Sequence, residues 1–486
     1  MSGGKAIGLQ GGDAAIRVAM PVCVALAVYA LLLLLGNRLL NDPDTYWHLT
    51  VGNWIAEHRM VPTADPFSFT KPGERWISFE WLSQLAYAGA YKLAGWTGIV
   101  VLAALAISAA FGALAFFLLR TLRPYPTLIL LLAALALGAP HFLARPHVFA
   151  LPVMVIWVGV LIARLDRDRP PPFWLLPVMT LWANLHPSFT LGIALIGPVA
   201  LEALVRAKHS QRKAVALRWI LFGLLALAAA CITPYGPGMF LATYRTVALG
   251  GALSFITEWQ PQNFSRIGSF EVILLLSVGY GLFTGMKLPP IRILVLLGLL
   301  HLALSQTRHV GVFAMLGPLF IAAPLSLHLY SKARSEPFRI SWPGIAISVA
   351  FAAVLTLALT FHRNFAPDPK NAPAAAIAQV NIARAGPVLN DYDFGGYLIY
   401  SGIAPFIDGR AEVYGKDFIV RYNRALALQD VPDFLRLLDE YRIAATLLSP
   451  VTPAVALLDR LPGWQRVYAD GVAVVHRRQN GAKPAR

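Results

Sequence analysis

Apolar runs recur along most of the chain, near 15–35, 97–119, 125–140, 148–164, 172–185, 188–205, 216–232, 270–286, 291–306, 309–329 and 342–361. Each is long enough, or nearly so, to cross about 30 Å of hydrocarbon, which predicts about eleven membrane helices, several softened by Pro140, Pro177 and Pro198. Between the first two runs the pattern is different. Trp47, Leu49, Val51, Trp54 and Ile55 form an apolar stripe at helical spacing, and Trp76, Ile77, Phe79, Trp81, Leu82, Leu85, Ala86 and Tyr87 form a denser one. Tryptophan and tyrosine favour the membrane interface, so two helices lying flat within a long first outer loop, 36–96, are expected. Glu57, His58, Asp65, Lys71, Glu74 and Arg75 then read as solvated charges on the connection.

The character changes beyond Phe361. Residues 362–373 are a proline-rich linker, and 374–478 alternate short strands with helices. Strands are expected at Gly386–Asp391, Pro405–Arg410, Thr446–Leu448 and Gly471–His476, with helices starting at Gly395 and covering Val431–Tyr441. Residues 479–486 are basic and polar, as in a disordered tail. The expected fold class is an α-helical polytopic membrane protein, 1–361, with a small C-terminal α/β domain.

Composition supports this class. Hydrophobic residues make up 57% and charged residues 14%, against about 25% charged in soluble domains, and mean hydropathy is +0.59. The only cysteines, Cys23 and Cys231, lie in apolar runs, which argues against a disulfide framework or a thiolate metal site. The net charge of +16 comes largely from cations in short loops, so it indicates membrane orientation and not nucleic-acid binding. Those loops hold Lys5 and Arg17; Arg120 and Arg123; Arg164, Arg167 and Arg169; Arg206, Lys208, Arg212, Lys213 and Arg218; Lys287 and Arg292; and Lys332, Arg334 and Arg339. Placing them in the cytoplasm puts the N-terminus inside and the C-terminal domain outside, with Val18–Leu35 as an uncleaved anchor in a bacterial inner membrane.

The polar clusters fall in the opposite set of loops. They are Asp42 to His48, His141 to His147, Asn184 to Pro187, Thr233 to Gly236, Thr257 to Gln260 and Gln306 to His309. Loop charge and cluster position are separate readings, and their agreement points to one outward-facing cavity. Asp42 and Asp44 at a membrane boundary are expensive unless solvated, paired or used. One carboxylate can serve as general base on an acceptor hydroxyl, or both can hold a divalent cation such as magnesium or manganese. Arg145 and Arg308 suit an anionic phosphate. His141, His147, His186 and His309 either gather on a metal, although their spacing is not a local ligand motif, or bond to backbone at helix ends, and Asn184 and His186 either contact substrate or cap a helix. Trp259 offers a flat face to a sugar or belongs to an interfacial belt. Asp408 and Arg410 either line the opening or form a structural pair in a turn.

Taken together, the segments Asp42–His48, Ala144–His147, Asn184–His186, Glu258–Pro261, Thr307–His309 and Asn390–Tyr397 resemble the GT-C superfamily of membrane glycosyltransferases, over nearly the whole chain. That resemblance implies a polyprenyl-phosphate-linked sugar donor, a lipid, glycan or protein acceptor, and a base or metal-ligand role for Asp42 or Asp44. Substrate contacts are then expected from His48, Arg145, His147, Asn184, His186, Glu258, Trp259, Arg308, His309, Asp391, Asp393, Asp408 and Arg410. Asp391-Tyr392-Asp393-Phe394-Gly395 is similar to the oligosaccharyltransferase Trp-Trp-Asp-Tyr-Gly motif but lacks both tryptophans, so sequon recognition is not implied. The alternatives are a flippase or transporter of a lipid-linked glycan, and a non-catalytic scaffold of an envelope-polysaccharide complex.

Overall fold

The structure, a computed structural model, describes residues 8–330 and 342–479. Lys5, the loop cations Lys332, Arg334 and Arg339, and the expected disordered tail beyond Gln479 lie outside the described residues. Each apolar run is helical. Among the described residues six helices are long and apolar enough to cross a membrane: Trp81–Leu119, Pro124–His141, His147–Leu165, Phe189–Arg206, His209–Ala230 and Thr307–Tyr330. Five shorter apolar helices, Met20–Leu34, Phe173–Leu185, Ser269–Thr284, Pro290–Ser305 and Ala346–Thr360, occupy the remaining runs. The chain is a multi-pass membrane protein.

The helix Trp81–Leu119 organises the bundle, lying against Gly8–Leu34, Asp44–His58 and His147–Leu165. Small residues permit the close approach: a Cβ on Gly112 would stand 3.1 Å from the Ala25 Cβ, and one on Gly159 would run into the Phe117 ring. The second interfacial stripe is not a free-standing helix. It is the first part of Trp81–Leu119, set off by a break at Ala94 and Gly95, where Gly95 takes φ +57°. That left-handed conformation suits glycine and lets one continuous segment turn from aromatic to aliphatic surroundings.

The C-terminal segment carries a four-stranded sheet in the order β1-β2-β4-β3: β1 Val388–Asn390, β2 Ala445–Leu448, β3 Trp464–Ala469 and β4 Val474–Arg478. β1 and β2 are parallel, and β4 is antiparallel to both β2 and β3. Two expectations are corrected. Pro405–Arg410 is not a strand, because the Asn390 side chain takes up its backbone: Phe406 N–H donates to Asn390 Oδ1 at 2.7 Å, and Asn390 Nδ2 donates to the Ile407 carbonyl at 2.8 Å. The last strand begins at Val474, since Gly471 to Ala473 form a turn held by the Asp470 carboxylate. The strand Trp464–Ala469 and the amphipathic helix Lys416–Leu426 had no clear counterpart in the sequence pattern.

The first loop and the C-terminal segment share one apolar core. Trp47, Val51, Ile55 and Trp76 pack with Phe406, Ile407, Tyr414, Ile419, Tyr422 and Phe434. Thr70 Oγ1 donates to the Phe406 carbonyl at 2.7 Å, and Trp76 Nε1 donates to Glu412 Oε1 at 2.9 Å. Asp65, expected to be solvated, is buried and joined to Arg410 Nη1 at 2.6 Å.

At the opposite end of the bundle, the fully buried Arg292 donates to Glu202 at 3.0 and 3.2 Å, to the Phe320 carbonyl at 3.2 Å, and to Asp166, while Arg206 pairs with Glu202. Three of the cation-rich loops therefore meet at this end, through Asp166, Arg206 and Arg292.

Candidate active site

The helix Asp44–His58 begins in an Asp-Pro-Asp turn. Pro43 holds a helical φ of −64°, and Asp42 Oδ1 accepts the Asp44 N–H at 2.8 Å, satisfying the first free amide of the helix. One Asp42 oxygen thus does the work of a helix cap. The other faces the loop before His147, which is tied down by Ala144 N–H donating to the Leu39 carbonyl at 2.6 Å and by Thr45 Oγ1 and Tyr87 Oη donating to the Ala144 and Arg145 carbonyls, each at 3.2 Å.

These anchors place Arg145 at the centre of an ionic cluster. Its Nη1 lies 3.3 Å from Asp42 Oδ2 and 2.5 Å from Glu258 Oε2, and its Nη2 lies 2.8 Å from Asp44 Oδ2. Arg308 Nη1 is 3.1 Å from Glu258 Oε1, and its guanidinium sits 4.2 Å over the Trp259 ring. Trp47 Nε1 donates to Asp44 Oδ1 at 2.9 Å. The side chains of Arg145, Arg308 and Glu258 are 20%, 26% and 28% exposed, so the cluster is open to a ligand on one side.

Three carboxylates meet two guanidinium groups here, and their environments separate them. Burial would raise Glu258, but Arg145 and Arg308 outweigh it and hold the carboxyl down to about 2. Burial pushes Asp42 up to about 7 against the pull of Arg145, with Asp44 and Glu258 adding repulsion. Asp44 is raised for the same first reason. Asp42 therefore lies near neutrality, where a general base is most effective, and burial raises Asp44 in the same direction.

A further layer was not legible in the sequence. Glu80 is nearly enclosed, with Oε1 3.3 Å from His186 Nε2 and Oε2 3.7 Å from His48 Nδ1. Burial pushes its carboxyl up to about 8, and burial also pushes both imidazoles well below their ordinary value. Gln84 Nε2 lies 3.2 Å from His48 Nδ1, and Trp81 Nε1 donates to Asn184 Oδ1 at 2.9 Å, which joins the Asn184–His186 segment to the same wall. A lone Glu within an apolar stripe carries no local signal of such a role. His147 Nε2 meets the His141 carbonyl at 3.0 Å, and its ring centroid is 6.5 Å from that of His186. His309 follows Arg308, and its Nδ1 is buried with no hydrogen-bond partner among the described residues.

The C-terminal candidates separate. Asp393 is exposed, and Asp391 accepts from the Asp393 N–H at 3.3 Å and from Thr452 Oγ1 at 3.2 Å. Asp408 and Arg410, expected as substrate contacts, are fully buried. Arg410 Nη2 and Nε meet Asp408 at 2.7 and 2.8 Å, Tyr414 Oη donates to Asp408 at 2.6 Å, and Phe67 and Trp76 flank the guanidinium. Their structural pairing removes them from the opening.

Gly409, between them, approaches the acids directly. A Cβ there would stand 2.0 Å from Asp44 Oδ1 and 2.9 Å from Trp47 Nε1. Gly409→Ala is therefore expected to displace Asp44 and reduce activity by at least about tenfold, as small misplacements of reacting groups do. Turnover beside a melting curve checks this: unchanged activity in a folded variant would show that the contact does not set the Asp44 position.

The observed arrangement does not fit a divalent cation held between Asp42 and Asp44, because the Arg145 guanidinium takes that place. Among the described residues no group of three or more His, Cys, Asp or Glu side chains is arranged to hold a metal ion.

No protein-family model and no curated relative matches the sequence. Among solved structures the chain is similar to ArnT from Cupriavidus metallidurans bound to undecaprenyl phosphate, at 16% identity and a TM-score of 0.52, over 96% of this chain and 99% of that one. It is also similar to the oligosaccharyltransferase AglB from Archaeoglobus fulgidus in complex with an inhibitory peptide and a dolichol-phosphate. That match has 12% identity and a TM-score of 0.55, over 88% of this chain and 69% of that one. The chain has the GT-C fold. Within the GT-C fold, Asp42, Asp44, Arg145, Glu258 and Arg308 form a cluster that joins three acids to two partly exposed arginines at the polar-loop end.

Proposed function

We propose that the protein is a membrane glycosyltransferase that moves a sugar from a polyprenyl-phosphate-linked donor to a lipid, glycan or protein acceptor on the extracytoplasmic face. The observation that carries this reading is the meeting of Asp42, Asp44 and Glu258 on Arg145 and Arg308 in an open cluster. The acceptor hydroxyl oxygen attacks the anomeric carbon, and its proton passes to the Asp42–Asp44 pair. The bond from the anomeric carbon to the phosphate oxygen breaks, and polyprenyl phosphate leaves with the electron pair. Arg145 and Arg308 stabilise the charge developing on the leaving phosphate, displacing part of their contact with Glu258. The two similar structures are complexes with undecaprenyl phosphate and with a dolichol-phosphate, which supports the class of donor. Incubating purified protein with a panel of polyprenyl-phosphate sugars tests the reading by release of polyprenyl phosphate. A deletion strain with unchanged lipid-linked sugars and surface glycans would refute it.

Transfer that needs the ionised acid pair is expected to fall as pH drops through about 7, where Asp42 takes up its proton. Removing the Glu258 charge takes away one repulsion and leaves Arg145 freer to hold Asp42 ionised. The acid limb of the pH–rate profile should therefore move to lower pH in Glu258→Gln. The stability sign is opposite: burial favours neutral Asp42, so its contribution is present below the unfolded value of about 4 and is lost as pH rises through about 7. A limb at the same pH in both proteins would assign it to another group.

The proposed orientation has its own test. Reporter fusions at Lys213 and Arg478 are expected to read cytoplasmic and extracytoplasmic respectively. Both on one side would break the loop assignment.

A further inference from the structure

A polar cavity lies away from the acid cluster, where two apolar helices end together. Gly8–Leu34 and Trp342–His362 pack side by side, joined by Tyr29 Oη and Thr356 Oγ1 at 2.6 Å. Just beyond them a cavity of about 350 Å³ is lined by Arg38, Arg363, Asn37 and Asn364 on its polar side and by Leu34 and Leu35 on its apolar side. No carboxylate lines it. Arg363 donates to the Leu34 carbonyl, and the Ala366 N–H donates to Asn37 Oδ1 at 3.4 Å, so the two chain segments hold the cavity walls together. Phe365 closes over Gly36, where a Cβ would strike its ring.

Two features indicate what this cavity accepts. Among the described residues no hydrogen bond or ion pair engages the Arg38 guanidinium, and one Arg363 bond to a carbonyl leaves that cation without a counter-charge. Leu34 and Leu35 are 48% and 38% exposed at the end of an apolar helix, so the cationic groups sit at the edge of the hydrocarbon. A guanidinium pair with flanking amides matches a phosphate, and exposed leucines beneath it match acyl chains. We infer that Arg38 and Arg363 form a binding site for the headgroup phosphate of an anionic phospholipid, which joins the outer end of the first helix to the chain entering the C-terminal domain. The inference is independent of the transfer reaction, since the cavity shares no lining residue with the acid cluster.

Native mass spectrometry of the full-length detergent-solubilised protein, titrated with phosphatidylglycerol, tests this. Arg38→Gln should weaken the site by roughly fivefold and Arg38→Gln with Arg363→Gln by roughly 25-fold, at about 1 kcal/mol per interfacial cation. Weak, variant-independent binding of phosphatidylcholine is the expected control. Arg38 is exposed and without a side-chain partner among the described residues, so the single variant should fold normally and keeps the test decisive if the double variant does not. Unchanged phosphatidylglycerol affinity in Arg38→Gln would overturn the site. Displacement of the lipid by equimolar inorganic phosphate would overturn the lipid assignment in favour of a free anion.

Discussion

Asp44→Asn and Asp42→Asn are each expected to lower sugar transfer by a factor on the order of 10² to 10⁴, the range contributed by a positioned general base. The larger loss is expected at Asp44, whose side chain is 19% exposed against 7% for Asp42 and therefore stands closer to an entering hydroxyl. Both amides keep an oxygen for the structural contacts. In Asp42→Asn that oxygen still accepts the N–H of residue 44, and in Asp44→Asn it still accepts from Trp47 Nε1. Folded yield and melting temperature should therefore change little, and the effect should appear in turnover. Release of polyprenyl phosphate, measured on purified variants, separates the readings. Normal glycan output from both variants in cells lacking the native protein, at equal protein levels, would leave a scaffold role and remove the enzymatic one.

The largest stability effect is expected at Arg410. It is fully buried, forks onto Asp408, reaches Asp65 at 2.6 Å and lies against the Phe67 and Trp76 rings. Arg410→Leu leaves two carboxylates buried without their cation, at a cost of about 3–5 kcal/mol. That is a large part of the roughly 5–15 kcal/mol that holds a typical domain folded. Arg410→Lys keeps the charge but loses the planar fork and the ring stacking, so it should fall between wild type and the leucine variant. Heat denaturation and limited proteolysis of the C-terminal segment check the order. Because Gly409 abuts Asp44, both variants should also lose activity before they lose all folded protein. Equal melting of the leucine variant and wild type would show that the knot does not carry the junction between the first loop and the C-terminal segment.

Much of the architecture is legible along the chain because its causes are local. An apolar run must satisfy its backbone internally as a helix wherever hydrocarbon surrounds it, so helix positions follow from hydropathy alone. The cation bias of alternate loops and the polar character of the others predict which loops share an end. The structure agrees, bringing Asp42, Arg145, Glu258 and Arg308 together at one end and Asp166 and Arg292 at the other. The Asp-Pro-Asp turn is likewise readable, since its capping bond spans two residues.

Pairing was decided only in three dimensions. Asp408 stands two residues from Arg410, but nothing local says that Asp65 reaches the same guanidinium across 345 residues. Glu80 reads like any loop carboxylate until the fold encloses it between His48 and His186. Pro405–Arg410 has the composition of a strand, but the Asn390 side chain takes the hydrogen bonds that a neighbouring strand would have supplied. Hydrophobic periodicity is set within a few residues of chain, whereas the partner of a buried charge is set by which distant segments exclude water around it. The sequence alone therefore determined the membrane class, the helices and the end of the bundle where the acids lie. That Arg145 bridges them, and that Asp408 and Arg410 hold the frame and not the opening, follows from which distant segments the fold brings together.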